Sequence, residues 1–211
     1  KAVFIFIVSD NTYFLSFMND ALNYYKNQKK IFHITSHSHF QNTNLFESQK
    51  IYFSKYMNCW GWGTWEDRWN KLTFNEKIIK SFFKNKKMRK NFDYDSGLFW
   101  KQIESNFNHK TNTWAIFWYA SIYMNRGLCV NPKISYTKNI GMDGTGMHTV
   151  NTGYLLSSLL CNNRFKKFIK KYSNLKMEKK LKENLRSSSN SISNKIINRL
   201  LIKFHKTNFI Q

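Results

Sequence analysis

The chain has 211 residues, with 42% hydrophobic and 18% aromatic content and a formal net charge of +22 at pH 7. This composition supports one buried core and excludes a chain that is disordered throughout, and no apolar run approaches the roughly 18 residues of a membrane-spanning helix. Three cysteines, an odd number without C-x-x-C spacing, favour reduced thiols over a zinc site, and the first apolar run lacks the features of a signal peptide. The sequence therefore predicts a cytoplasmic protein whose contact with the membrane, if any, is peripheral.

The hydrophobic pattern predicts an α/β fold built from short strands and amphipathic helices. Residues 2–8 are a continuous apolar run, which is typical of a strand buried on both faces of a sheet. Asp10 is the expected N-cap of the next helix, and Gly127 is the expected C′ residue of the best-patterned helix. The other predicted elements are strands at 31–35 and 52–59 and helices at 12–26, 65–72, 76–83, 96–106 and 113–125.

Residues 59–65 read Cys-Trp-Gly-Trp-Gly-Thr-Trp, which places three indoles and two glycines in seven residues. Glycine permits close backbone approach or positive φ, and an indole offers a flat apolar face with one N–H donor. A loop of this composition suits stacking on a sugar ring. The predicted substrate-binding residues here are Trp60, Gly61, Trp62, Gly63 and Trp65, and the alternative is a tryptophan-rich corner of the core.

A second glycine-rich stretch, residues 139–148, reads Asn-Ile-Gly-Met-Asp-Gly-Thr-Gly-Met-His. Glycine at this density indicates a loop rather than a helix or strand. Backbone amides in such a loop can face an anion, and the terminal imidazole can bind a divalent ion or a phosphate oxygen. Taken alone, the stretch is explained equally well by an ordinary turn, so its weight comes from its combination with the tryptophan motif.

The tryptophan motif at 59–65, followed along the chain by the glycine-rich stretch at 139–148, resembles the carboxyl-terminal part of GT-A-type glycosyltransferases. The resemblance is in particular to the family-2-like bacterial transferases that build capsular or surface polysaccharide. The resemblance covers roughly residues 2–150, and its specific blocks are the Trp-Gly-Trp run at 60–62 and the Asn-Ile-Gly-x-Asp-Gly run at 139–144. The further matching blocks are 13–22, 31–35, 68–69, 99–101, 114–121, 125–128 and Pro132.

The resemblance implies a GT-A-like, Rossmann-type mixed sheet flanked by helices. Residues 1–160 would be a partial glycosyltransferase domain and residues 161–211 a basic, amphipathic helical tail. The implied reaction moves a sugar from a nucleotide-sugar donor to a glycan or lipid-linked acceptor by displacement at the anomeric carbon. A divalent cation, Mn²⁺ or Mg²⁺, would neutralise the leaving diphosphate while a carboxylate deprotonates the acceptor.

Two departures from the family pattern lie at the amino-terminal side. Where the family has an acidic cluster that holds the metal, residues 3–8 read Val-Phe-Ile-Phe-Ile-Val, and aliphatic or phenyl groups do not bind a hard cation. The nucleotide-binding half that begins a GT-A domain does not precede Lys1, which predicts an amino-terminally truncated domain. A catalytically degenerate relative that binds glycans through the tryptophan motif is therefore the alternative function.

The resemblance assigns roles to several further residues. Asp143 is the preferred catalytic carboxylate, flanked by the substrate-binding glycines Gly144 and Gly146, and its alternative is an Asx turn. Asp95 is a second catalytic candidate, and its alternative is capping the helix that follows. His148 is expected to contact the metal or the diphosphate, and the pair His37 and His39 is a weaker metal candidate because residues two apart share one face of a strand.

The carboxyl-terminal quarter carries much of the positive charge. Residues 164–211 hold fourteen Lys or Arg against two Glu, a net of +12. Between 165 and 180, paired lysines alternate with apolar residues in the pattern of a basic amphipathic helix that lies on anionic lipid, and the alternative is a solvated helix or a basic tail that reflects a lysine-biased proteome. Residues 192–204 repeat the pattern after a Ser/Asn-rich linker at 187–191. Nucleic acid is the disfavoured partner, because no recognisable nucleic-acid motif accompanies the charge.

Overall fold

The computed structural model describes residues 11–38, 51–138, 160–161, 163–165, 167–169 and 178–187, together with the backbone of residues 2–5. The strands are β1 (Ala2–Ile5), β2 (Ile31–Thr35), β3 (Ile51–Ser54), β4 (Trp62–Trp65) and β5 (Leu128–Pro132). The helices are α1 (Phe14–Tyr25), α2 (Glu66–Trp69), α3 (Glu76–Phe82), α4 (Lys86–Phe92), α5 (Phe99–Phe107), α6 (Trp114–Met124) and α7 (residues 178–187). The fold is thus mixed α/β, as predicted.

The strands form one mixed sheet in the order β1-β4-β2-β5-β3. Strands β2 and β5 pair in parallel, with Ile31 opposite Leu128, whereas the pairs β1–β4, β2–β4 and β3–β5 are antiparallel. Because β2 and β5 run in the same direction, their carboxyl ends meet at one edge of the sheet. We call this the carboxyl edge.

Two compact units make up the chain. The sheet unit comprises residues 1–74 and 117–177, and the helical unit comprises residues 75–116 and 178–211. The predicted division into residues 1–160 and 161–211 follows the order of the sequence and stays a prediction.

One face of the sheet unit's core is built on helix α1. The apolar side of this helix recurs every three or four residues, as the sequence predicts. Its buried residues are Phe14, Phe17, Met18, Ala21, Leu22 and Tyr25. Helix α1 and the identically bounded strand β2 confirm the predictions at 12–26 and 31–35.

The described residues among 163–169 pack against buried residues of α1 and join the same core. Phe165 is buried with its ring centroid 5.4 Å from that of Phe17, and the Tyr25 hydroxyl donates to the Ile169 carbonyl at 2.7 Å. These residues are not helical. The amphipathic helix predicted from 165 onward is therefore wrong for the described residues among 163–169, because an apolar stripe that packs on a protein helix has the same composition as one that lies on lipid, whereas residues 178–187 are helical.

Residues 62–65 form a strand and not a loop, which corrects the prediction for the tryptophan motif. Gly63 pairs with Phe4 on one side and with Ile34 on the other, so β4 is an interior strand. The run at 2–8, predicted as a strand buried on both faces of a sheet, contributes the antiparallel edge strand β1 over its described residues 2–5. The predicted strand at 52–59 shortens to β3, the sequence analysis missed α4 and β5, and Asp10 lies outside the described residues.

The end of helix α6 also differs from the prediction. Arg126, with φ of 54°, takes the left-handed conformation expected of Gly127. Gly127 is required for a different reason: a Cβ there would lie 2.6 Å from Cδ2 of Phe32. The glycine thus lets the chain entering β5 pass close to β2.

The helical unit has its own small core, formed by α3, α4, α5 and α7. Asn75 and Asn85 cap α3 and α4 by accepting from Ile78 N at 3.1 Å and Met88 N at 2.8 Å. The buried apolar residues are Ile79, Phe83, Phe92, Tyr94, Trp100, Ile103, Leu181 and Leu185. Among the described residues, no helix has the length and apolar character needed to cross a bilayer.

Candidate functional site at the carboxyl edge

Three segments are joined by hydrogen bonds at the carboxyl edge: residues 36–38 after β2, 59–61 before β4, and 135–137 after β5. Ser36 N donates to the Gly61 carbonyl at 2.8 Å, and Tyr136 N donates to the Ser36 carbonyl at 2.8 Å. The hydroxyls of Ser36 and Thr137 lie 2.9 Å apart. The tryptophan motif and the segment leading to the second glycine-rich motif are thus held against the same strand end.

Gly61 is required by this close approach. Its φ is +55°, and an added Cβ would overlap Ser36 Oγ and lie 2.6 Å from Cγ2 of Thr137. Both the backbone conformation and the lack of space exclude an ordinary side chain. The sequence predicts that glycine in this motif allows a close approach to its backbone. In the structure, the groups that approach Gly61 are the side chains of Ser36 and Thr137.

Trp60 is the partly exposed indole of the motif. Its backbone is fixed because Trp60 N donates to Asn58 Oδ1 at 2.7 Å and the Trp60 carbonyl accepts from Thr35 Oγ1 at 3.0 Å. The buried His37 ring lies edge-on to it, with centroids 4.5 Å apart and planes at 71°. His37 Nδ1 is in turn 3.4 Å from Ser135 Oγ. A half-buried indole held in this way can present one face to a ligand.

Trp62 and Trp65 lie in the core. Trp62 is fully buried and stacks on His33 with ring centroids 5.0 Å apart, while Trp65 donates through Nε1 to the Leu22 carbonyl at 3.2 Å. Neither ring has an open face for a sugar in this structure, so the predicted stacking role is retained for Trp60. Gly63 lies between strands β1 and β2 and serves the sheet pairing.

His33 is a fully buried histidine whose ring is hydrogen-bonded to neighbouring protein groups. Its Nε2 donates to the Asn58 carbonyl at 2.8 Å, and its Nδ1 accepts from Trp118 Nε1 at 3.2 Å. The bond from Trp118 requires a neutral ring, because Nδ1 must be unprotonated to accept. Burial lowers the pKa of His33 to about 3. The imidazole is therefore a neutral core group, and no spacing in the sequence distinguishes it from a ligand.

Of the two catalytic candidates, Asp95 and Asp143, Asp95 is the one that lies among the described residues. Asp95 is an exposed residue of the helical unit, and its carboxylate lies 2.5 Å from Lys182 Nζ. This hydrogen-bonded ion pair lowers the pKa of Asp95, which makes it a weaker base. The cap of α5 is instead Asp93, whose Oδ1 accepts from Trp100 N at 2.6 Å.

The predicted residues Asp143, Gly144, Gly146 and His148 lie outside the described residues, as does His39. Lys138, the last described residue before residues 139–148, directly follows Thr137 at the carboxyl edge.

The described groups at the edge do not fit a hard divalent cation. They are hydroxyls, an imidazole and backbone amides, whereas Mg²⁺ and Mn²⁺ favour carboxylate oxygens. Within the described part of the chain, no group of three or more His, Cys, Asp or Glu side chains could hold a metal ion. A cation at this edge would therefore depend on residues such as Asp143 and His148.

Comparison of the chain with models of known protein families, with curated proteins and with solved structures finds no match. The function proposed for it is accordingly inferred from the carboxyl edge and from the motifs in the sequence.

Proposed function

We propose that this chain is a GT-A-like sugar transferase domain that acts on a nucleotide-sugar donor and a glycan or lipid-linked acceptor. The proposal is supported chiefly by one observation: the tryptophan motif and the strand end leading into residues 139–148 are both hydrogen-bonded to Ser36 at the carboxyl edge. In open α/β sheets, ligands bind outside the carboxyl ends of parallel strands. The two motifs that carry the family resemblance are therefore attached at the edge where a ligand is expected.

In the proposed reaction, Trp60 stacks on a sugar ring and His37 fixes the orientation of the indole. The acceptor hydroxyl attacks the anomeric carbon, the bond to the nucleoside diphosphate breaks, and a carboxylate takes the hydroxyl proton. Asp143 is the preferred base, because the ion pair of Asp95 with Lys182 occupies the competing carboxylate. The described residues provide no site for a metal, so a cation that neutralises the leaving diphosphate would depend on residues such as Asp143 and His148.

The first test is a calorimetric titration of the chain with a panel of nucleotide sugars, with and without Mn²⁺, and with acceptor-like oligosaccharides. Trp60→Ala is expected to weaken oligosaccharide binding by about tenfold, which corresponds to the loss of one stacked ring. Trp114→Ala is the matched control, because Trp114 is another partly exposed indole and belongs to the helical unit.

The second test compares two carboxylates by the release of nucleoside diphosphate in the presence of acceptor. Asp143→Asn is expected to lower the rate by roughly 100-fold, the scale of a lost general base, while Asp95→Asn changes it little. The reverse ranking would place the base in the helical unit. If the chain binds glycan but no nucleotide sugar, the alternative of a catalytically degenerate glycan-binding relative would be favoured. If it binds neither ligand, the proposal would be refuted.

A further inference from the structure

Helix α4 of the helical unit presents a dense cluster of lysines on its outer side. Phe92 of α4 is buried, and Arg89 lies over the Trp100 ring at 4.6 Å while donating to the Phe83 carbonyl at 2.8 Å. These contacts fix which side of α4 faces inward. The lysines in and just before the helix are all exposed, and we call them the α4 basic patch: Lys84, Lys86, Lys87 and Lys90.

The lysines of the patch form no salt bridge with a described carboxylate, and Lys90 lies within electrostatic range of Asp95 without contacting it as Lys182 does. Elsewhere in the same unit, Lys80 pairs with Glu76 at 2.5 Å and Lys182 pairs with Asp95 at 2.5 Å. No described ion pair involves a lysine of the patch. Clustered like charges destabilise a folded unit by mutual repulsion unless a partner of opposite charge compensates.

Helix α7 extends the positive potential. Lys182 pairs with Asp95, and Arg186 and Lys90 both lie within electrostatic range of the same carboxylate. One aspartate is thus shared by three cations drawn from two helices. The basic surface consequently runs from α4 to α7, with an excess of positive charge along its length.

We propose that the α4 basic patch binds the anionic headgroups of a lipid membrane. Charge complementarity requires a polyanion, and the apolar surface distinguishes lipid from single-stranded nucleic acid. Within the described helical unit, the most exposed large apolar side chain is the aliphatic Ile78, at 53% exposure, whereas the aromatic side chains Phe82, Phe99, Phe107 and Trp114 are only partly exposed. Grooves for single-stranded nucleic acid present exposed aromatic rings for base stacking, whereas interfacial binding combines cations with any exposed apolar side chain. This inference is independent of the proposed sugar transfer and of the predicted contact through residues 164–211.

The test uses the full chain and co-sedimentation with vesicles of phosphatidylcholine alone or with about 30 mol% phosphatidylglycerol, at about 0.1 M salt. The patch variant is Lys86→Gln, Lys87→Gln and Lys90→Gln. The matched control removes three exposed lysines elsewhere, as Lys55→Gln, Lys101→Gln and Lys110→Gln. Each cation near an anionic surface strengthens binding about fivefold, so the patch variant is expected to partition roughly 100-fold more weakly and the control less than about tenfold more weakly.

Two results would overturn the proposal. Equal losses in the two variants, or no loss in either, would mean that binding follows net charge or comes from other residues. A duplex or single-stranded oligonucleotide that binds more tightly than the vesicles at the same salt, with the patch variant defective, would assign the surface to nucleic acid instead. The far-ultraviolet circular dichroism of both variants should match that of the parent chain, because every substituted side chain is exposed.

Discussion

The buried neutral His33 predicts a loss of stability in mild acid, with a magnitude set by its environment. An imidazole in the unfolded chain has a pKa of 6.5, whereas burial lowers the pKa of His33 to about 3 in the folded chain. As the pH falls through 6.5, His33 therefore binds a proton in the unfolded state but stays unprotonated in the folded state. Stability is complete above pH 7 and falls as the medium is acidified. Linkage gives a loss of about 2 kcal/mol between pH 7 and pH 5 and about 3 kcal/mol by pH 4.

The assay is urea unfolding at pH 7, 6 and 5, followed by the tryptophan fluorescence of the sheet unit. His33→Gln keeps a donor and an acceptor but cannot titrate, so the variant is less stable at pH 7 yet loses about 2 kcal/mol less over the same range. His109→Gln is the control, because His109 is exposed. If the parent chain and the His33→Gln variant lose the same free energy of unfolding between pH 7 and pH 5, the conclusion that His33 is a buried neutral imidazole would be refuted.

Three further sets of substitutions test the close approach at Gly61, the buried Arg68 of the sheet unit and the start of α5, each by the free energy of unfolding in urea. Gly61→Ala is expected to cost roughly 3 kcal/mol, because it adds both overlap and positive-φ strain, whereas Gly97→Ala, at φ of +70° with open space around it, adds the strain of about 1 kcal/mol alone. Equal costs at the two glycines would contradict the close approach. Arg68→Met removes a buried guanidinium that donates to two backbone carbonyls, at 2.7 and 3.3 Å, and should cost about 3 kcal/mol, so a cost below about 1 kcal/mol would count against those contacts. Asp93→Ala should cost about 1 kcal/mol through the lost cap of α5 while Asp95→Ala costs less, and the opposite order would mean that Asp95 is the cap.

The elements that could be predicted from the sequence are those whose pattern is local. Helix α1 shows one apolar side over three turns, and β2 is a short apolar strand bounded by polar residues, so both were found at nearly their observed limits. The bounds of α5 were less accurate because Asp93, and not Asp95, accepts the first backbone amides of the helix. The two aspartates are equivalent in sequence and differ only in which carboxyl group the turn directs toward the helix.

Strand β4 and the roles of the tryptophans depended on non-local contacts. A Trp-Gly-Trp run is typical of a ligand loop, yet Trp62 fills a space between His33 and Trp118 that exists only after distant segments meet. Gly63 likewise serves an interior strand, pairing with Phe4 and Ile34, which are both distant from it in sequence. The composition of the motif therefore predicted importance correctly but could not separate core packing from ligand contact.

The strand register brings a third feature of the family resemblance to the carboxyl edge. Strand β1 ends at Ile5, which pairs with Trp62, and Trp62 pairs in turn with Thr35 at the end of β2. The amino-terminal run in which the family carries its acidic metal cluster thus reaches the same edge as Trp60 and Thr137. Because that run is apolar in this chain and the described residues hold no group that could bind a metal, a cation at the edge would depend on residues outside the described part, and Asp143 is the proposed source of a carboxylate. If donor binding requires a metal and Asp143→Asn abolishes this requirement, Asp143 would be supported as the replacement for the acidic cluster of the family. If the metal requirement survives the change, the carboxylate must come from another residue.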